Sequence, residues 1–416
     1  MLKIIKDYSG SNIGDTIIDD NKVFAKFRKE SITCVDNLCH NYNWHFAFGI
    51  SNKSNTYKEI SLFINCTEES ELPNISPMIY YSFKQRNNYR LFNGISKTDT
   101  YEKYYIKIKI PPKKTIYIAN FFFREYEYLS QRFNRLSDLG NAEKKIIGKT
   151  VEGRDLVCYK YDNLGKEKYP KKIPILITSG FHFPEQDTIA TESVMEFFSK
   201  KKDLAKYCDF VFYIIPIVNP DGFVHGFNGC NANEVNMYWK FDEKDKKTTP
   251  EAYYLWKFIK KIKPKIYFDF HGYTFQLHRK KASAYFKPIL LYRSKKIRRL
   301  VKSMNRRILY HCSGNSYKGP LTYAPSTLSM KLIKNFNTIS YAKFHIHQLD
   351  EINNSKKAAM LSVFDIIDLY KKFFSEYQGK YLDNFEENNL FVKIIFNYYK
   401  FKFLFIAIVY SLIKRF

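Results

Sequence analysis

The chain has 416 residues, enough for two domains, because a single hydrophobic core stops growing well short of that length. With 45% hydrophobic and 26% charged residues it reads as a globular protein, which excludes a disordered chain. Sixty-eight Lys and Arg against 41 Asp and Glu leave a net charge of +27, a field that draws anionic lipid headgroups or acidic substrates; no nucleic-acid-binding module accompanies it, so nucleic acid is the least supported partner.

The N-terminal third is strand-rich. Apolar or alternating runs at residues 44–48, 59–65, 78–83, 104–110 and 115–122 are separated by Asn, Ser, Lys and Pro turns at the spacing of a β-sandwich. No catalytic pattern falls there. Seven cysteines (34, 39, 66, 158, 208, 230 and 312) are scattered and odd in number. Cys34 and Cys39 lack the second pair that a zinc ribbon needs, so reduced thiols in a cytoplasmic protein are expected. Residues 1–9 contain no apolar core of signal-peptide length, so export by that route is not expected.

From residue 136 the pattern changes to strands interleaved with helical stretches at 191–200, 250–262, 295–310 and 356–374. This alternation predicts an α/β sheet with helices on both faces, in which ligands gather at the carboxyl ends of strands. The strand at 175–178 runs into His182-Phe183-Pro184-Glu185, and the strand at 266–270 ends at His271. Imidazole and carboxylate are borderline-to-hard donors, and three of them with an open position make a catalytic zinc site. Asp269 reads either as a fourth ligand or as a group that orients one.

A His-x-x-Glu pair recurs by chance, so its weight comes from its company. Asn219-Pro220-Asp221-Gly222 follows the apolar run 210–218, and Gly148-Lys-Thr-Val-Glu-Gly-Arg154 precedes the whole set. In that order these segments resemble the zinc carboxypeptidases of the M14 class, in their cytosolic carboxypeptidase-like branch, over residues 136–377. The resemblance implies a small all-β sandwich over 1–135 and a mixed-sheet α/β zinc peptidase domain over 136–378; residues 379–416 depart from it as a basic, aromatic tail. It also implies Zn2+ held by His182, Glu185 and His271.

A peptidase of this kind needs a metal that activates water, a general base, a cation for the developing oxyanion and, often, a cation that grips the substrate's terminal carboxylate. By the resemblance the oxyanion arginine falls near Gly229, and the Asn-Arg pair that holds the carboxylate reads Asn236-Met237. Methionine cannot make a bidentate pair with a carboxylate, which puts recognition of a free C-terminus in doubt. No Asp or Glu occurs from Gly272 to Leu349, the span in which the family carries its catalytic glutamate. Residues 323–329 resemble the family's mobile tyrosine segment, which makes Tyr323, together with Asn236, a substrate contact. The glutamate's position falls at about Phe344 or His345. Of the two only His345 moves a proton, as base or alternatively as a fourth metal ligand, and Glu351 is the fallback base.

The acid-free span holds sixteen Lys and Arg, either a solvated face or a surface for an anionic substrate. Residues 388–416 carry five Lys and Arg and no acid, and their longest charge-free run is 11 residues. That is short of the roughly 20 a membrane-spanning helix needs. An interfacial anchor and a helix docked on the protein's own core both fit. The expected function is zinc-dependent cleavage of an amide bond in a peptide or peptide-like, anionic substrate by a cytoplasmic, membrane-associated hydrolase. The alternative is a pseudoenzyme that kept its metal ligands and serves as a binding module, with peripheral membrane contact through the tail.

Overall fold

The computed structural model describes residues 1–31, 33–35, 38–40, 45–65, 79–83, 89–92, 96–97, 103–122, 124–162, 172–200, 204–273, 283–286, 289–292, 294–311, 326–346, 352–375, 397–398, 401 and 405. The first part of the chain forms strands β1 (Leu2–Ile5), β2 (Thr16–Asp19), β3 (Lys22–Lys26), β4 (Thr33–Val35), β5 (Leu38–His40), β6 (Ala47–Asn52), β7 (Lys58–Asn65), β8 (Tyr80–Ser82), β9 (Arg90–Leu91), β10 (Ser96–Lys97), β11 (Lys103–Ile110) and β12 (Thr115–Ala119). Ten of them make two five-stranded sheets, ordered β1-β6-β12-β8-β9 and β10-β11-β7-β3-β2, and β4 and β5 pair with each other.

Alternation decides which residues enter the core between these sheets. In β11, Ile106, Ile108 and Ile110 are buried while Lys107 and Lys109 face solvent, the period of a strand with one wet face. Val23 and Leu62 from the same sheet, and Phe46, Phe48, Ile50 and Ile118 from the other, complete the core. The strand predicted at 44–48 lies further along the chain, at Ala47–Asn52, because Ile50 belongs to the same inward-facing set as Phe48.

The second part begins with α1 (Tyr126–Leu139), β13 (Glu143–Lys149), β14 (Asp155–Tyr161), β15 (Ile173–Thr178), α2 (Thr188–Ser199), β16 (Phe210–Ile215) and α3 (Pro220–His225). It continues with α4 (Pro250–Ile262), β17 (Ile266–Tyr273), β18 (Ser283–Phe286), α5 (Lys295–His311), α6 (Leu328–Phe336), β19 (Ile339–Ile346) and α7 (Ile352–Ser375). The expected border between residues 135 and 136 falls inside α1. That helix packs on α2, and Arg132 pairs with Glu192 at 2.8 Å and Glu196 at 2.6 Å.

The seven strands are ordered β13-β14-β16-β15-β17-β19-β18, with β16, β15, β17 and β19 mutually parallel in the middle and antiparallel strands at the edges. Central parallel strands are buried on both faces and read as continuous apolar runs. Ile175, Ile177, Phe212, Phe268 and Phe270 join one core with Val194, Phe198 and Ile367. Leu176, Ile215 and Tyr267 join the other with Leu255, Ile259 and Leu332. Among the described residues, Cys158, Cys208 and Cys230 are free and buried.

Candidate metal centre

The candidate ligands lie at the carboxyl ends of neighbouring parallel strands, His182 and Glu185 on the turn after β15 and His271 within the last residues of β17; the strands pair from Ile175↔Ile266 to Thr178↔Asp269. After β15 the chain turns at Gly180, φ +69°, where a Cβ would lie 2.8 Å from both the Ile217 Cα and the Pro216 carbonyl oxygen. Only glycine combines that conformation with that approach. Asp187 closes the turn, its two carboxylate oxygens accepting the Gly180 N–H at 2.9 and 3.0 Å. Between these points, His182 precedes a single 3-10 turn, Phe183–Glu185, and Gln186, left-handed at φ 50°, redirects the chain into α2.

The Glu185 carboxylate stands between two imidazoles. Its Oε1 lies 2.7 Å from His182 Nδ1, its Oε2 lies 3.0 Å from His271 Nδ1, and the Gly272 N–H donates to Oε2 at 3.2 Å. One ligand atom from each of the three residues lies within 4.8 Å of the others, and all three side chains are buried. The far nitrogen of each ring faces an oxygen: His182 Nε2 is 3.2 Å from Asn236 Oδ1, and His271 Nε2 is 2.8 Å from Asp269 Oδ1. An acceptor at Nε2 holds the proton there and leaves the Nδ1 lone pair for a cation. Two imidazoles and one carboxylate, preset in this way, fit zinc.

Burial disfavours charge at Glu185 and at His271. Even so, the flanking rings of His182 and His271 hold the Glu185 carboxyl below the usual carboxylate range. Asp269 and Glu185 likewise outweigh burial and hold the His271 ring well above imidazole's ordinary value.

Asp269 thus stands on the side of His271 away from Glu185, as an orienting group. Its Oδ2 accepts from the Tyr238 hydroxyl at 3.2 Å and from Ser329 Oγ at 3.4 Å, and the Tyr238 ring lies edge-on to His271 at 4.3 Å. Asn236 accepts from the Tyr238 N–H at 3.2 Å with the oxygen that faces His182, while its buried Nδ2 has no hydrogen-bond partner among the described residues. Met237 is 2% exposed, packed in the apolar cluster of Phe181, Tyr238, Trp239 and Leu328. The register of β19 pairs Phe344 with His271 and His345 with Gly272. Tyr323 and Glu351 lie outside the described residues, as does most of 379–416.

The two motifs that gave the metal turn its company meet in space. Asp221, fully buried, accepts from Thr150 Oγ1 at 2.7 Å, the Glu152 N–H at 3.0 Å and Arg154 at 2.7 Å. Asn219 caps α3 by accepting the Gly222 N–H at 3.1 Å and spends its amide on the Phe181 and Cys230 carbonyls at 3.2 and 2.9 Å. Sequence reasoning missed Asp187, Tyr238 and Ser329. Asp187 directly precedes a helix, where it reads as a cap, and the other two carry no local signal.

The model of the zinc carboxypeptidase family, peptidase M14, matches residues 126–348, more than half of the chain. The inactive metallocarboxypeptidase ECM14 of Saccharomyces cerevisiae is 30% identical over 117 residues, 26% of this chain and 27% of that protein. The protein of the same name from Arthroderma gypseum is 27% identical over 134 residues, 29% of this chain and 22% of its own. The chain therefore spans about a quarter of the length of the curated relatives it matches. Among solved structures, a metallo-carboxypeptidase from Burkholderia cenocepacia superposes with a TM-score of 0.71 at 18% identity, covering 89% of this chain and 100% of that one. A metallo-carboxypeptidase from Pseudomonas aeruginosa, in complex with (2-guanidinoethylmercapto)succinic acid, gives 0.72 at 14% identity with the same coverage. At these identities the likeness is one of fold, and it takes in the first domain as well as the second. With the family match resting on the domain that carries the metal turn, the chain belongs to the zinc carboxypeptidases of the M14 family.

Proposed function

We propose that the protein holds one zinc ion through His182, Glu185 and His271 and cleaves an amide bond in a peptide or peptide-like substrate. The observation that carries this reading is the donor set, two Nδ1 atoms turned to one carboxylate with both Nε2 atoms facing oxygens. A zinc ion there supplies Lewis acidity. Asp269 and Tyr238 keep the His271 ring from rotating, and the unpartnered Nδ2 of Asn236 donates to a substrate oxygen beside the ligands. With Met237 buried among apolar side chains, a free terminal carboxylate is not the recognised feature, and blocked or internal amides fit better. Tyr323 is a second substrate contact in this proposal, and His345, or Glu351 in its stead, takes the proton.

A second reading, a pseudoenzyme that binds metal and ligand without turnover, is favoured by a specific observation. Phe344, which cannot move a proton, is the residue in register with His271. Gly229 and Met237 point the same way, and the relatives named above are called inactive.

An anionic substrate is supported by the acid-free span. Contact with an anionic membrane is supported by Phe401 and Phe405, helical and 69% and 59% exposed, in a segment with five cations and no acid.

Metal analysis of wild type and His271→Ala, run beside hydrolysis of blocked and unblocked, acidic and neutral peptides, tests the proposal. One zinc per chain, lost in the variant, with turnover in the wild type is the expected result. Zinc without turnover on any of these peptides selects the second reading, and no zinc overturns both.

A further inference from the structure

We infer that the first domain is a working part of the metal centre, with His45 and Glu30 as positioning residues for the His182–Glu185 turn and the loop that faces it. The inference rests on the zinc reading above. It starts from Phe183, the residue after His182 and two before Glu185, which is fully buried. Two of the rings around it come from the first domain: His45 meets it edge-on at 5.9 Å and Phe121 at 5.3 Å, while Phe223 closes the other side at 5.0 Å. His45 and Phe121 also brace each other edge-on at 4.8 Å.

The same domain grips the loop at 224–234. The Glu30 carboxylate accepts the Asn228 N–H at 2.7 and 2.9 Å and the Asn228 Nδ2 at 2.7 Å, and His45 Nδ1 pairs with Asn228 Oδ1. Asn12 Nδ2 donates to the Gly226 carbonyl at 2.6 Å, the Gly10 N–H to the Val224 carbonyl at 2.7 Å, and the Arg28 guanidinium lies 4.5 Å over the Phe227 ring. At Gly226, φ +66°, a Cβ would stand 2.6 Å from the Gly10 and Ser11 carbonyl oxygens, so the two backbones meet where only glycine fits.

Asn12, Glu30, His45 and Asn228 are all buried, unlike the wet and yielding contacts that usually join domains within a chain. The grip passes to the ligands through Asn219, whose amide ties Cys230 on this loop to Phe181, the residue before His182. His182 is thereby flanked on both sides by residues that the first domain holds, directly at Phe183 and through the loop at Phe181. Support of this kind fixes ligand geometry before the metal arrives and raises affinity for it.

The test uses the full chain and measures zinc affinity by competition with a chromogenic chelator, together with the melting temperature of each variant. His45→Ala and Glu30→Ala are expected to weaken zinc binding about tenfold or more. His45→Phe, which keeps a ring against Phe183, should stay closer to wild type. Ile60→Ala, in the sandwich core and away from the turn, should lower the melting temperature while leaving zinc affinity unchanged. Wild-type affinity in both alanine variants overturns the inference, and so does an equal loss of affinity in Ile60→Ala. Should His45→Ala fail to fold, Glu30→Ala decides by the same comparison. A wild-type protein that binds no zinc would instead remove the reading on which the inference stands.

Discussion

The His182–Glu185 turn follows β15, the loop from Gly226 to Trp239 follows α3 beyond the adjacent parallel strand β16, and the two are tied together by one asparagine, Asn219. They have diverged from the family pattern to opposite degrees. The turn keeps every donor, each with a partner on its far side. The loop has glycine and methionine where the resemblance calls for arginines, and Met237 fills its place as a packed core residue. The candidate ligand set and the segment assigned to carboxylate recognition are therefore built from separate parts of this fold, so the residues of one can be kept while those of the other are replaced.

The largest effect should come from the turn itself. Glu185→Ala removes the group on which both rings converge, and metal analysis after dialysis should find no zinc; retained zinc would place the ion elsewhere. On the loop, Met237→Arg should lower stability to urea by about 4 kcal/mol, because it buries an unpaired cation among apolar side chains. A stable variant that gained a preference for free C-termini would mean that position 237 decides carboxylate recognition without an arginine at 229.

The contact between the two domains should respond to pH. Burial lowers His45 to about 4 from its ordinary 6.5, so the stability its neutral ring contributes is complete above pH 6.5 and is lost as pH falls through 4. Burial raises Glu30 to about 7 from 4.5, so its contribution is complete below pH 4.5 and is lost as pH rises through 7. Among the described residues, Asn12, Asn228, Arg28 and the backbone of Gly226 and Gly229 are polar and charged groups that face this pair. Between pH 7 and pH 4, wild type should lose about 3 kcal/mol relative to His45→Phe in denaturation experiments. A pH-independent difference would mean that the ring is hydrated. The smallest effect is expected from Asp269→Asn, which keeps the side chain's shape but weakens its hold on His271 Nε2, with zinc affinity falling about tenfold.

What was legible in the sequence was what depends on near neighbours. The candidate ligands His182 and Glu185 share one turn, so donor chemistry, a preceding strand and the company of the neighbouring motifs singled them out. α4 occupies the predicted residues, with Pro250 in its first turn and an apolar face repeating through Leu255, Trp256 and Ile259. α2 begins three residues before its predicted start, and Asp187, ahead of it, spends its carboxylate on Gly180 instead of capping the helix. The positions of Tyr238 and Ser329 at Asp269, and of His45 at Phe183, arise from chain segments far apart, and no local pattern announces them. The β19 register sets Phe344 opposite His271 and His345 opposite Gly272, a pairing that no local pattern in the acid-free span announces.

Glu30 and Asn228 are separated by 198 positions along the chain. During synthesis the sandwich emerges first and can close its own core while Asn12, Glu30 and His45 still face water. They become buried only once residues 224–234 have been made, and His271 follows later still. The candidate ligand set can therefore be completed only after the contact between the domains can form, and a chain halted before residue 224 would display a folded first domain with a polar cleft where its partner loop belongs.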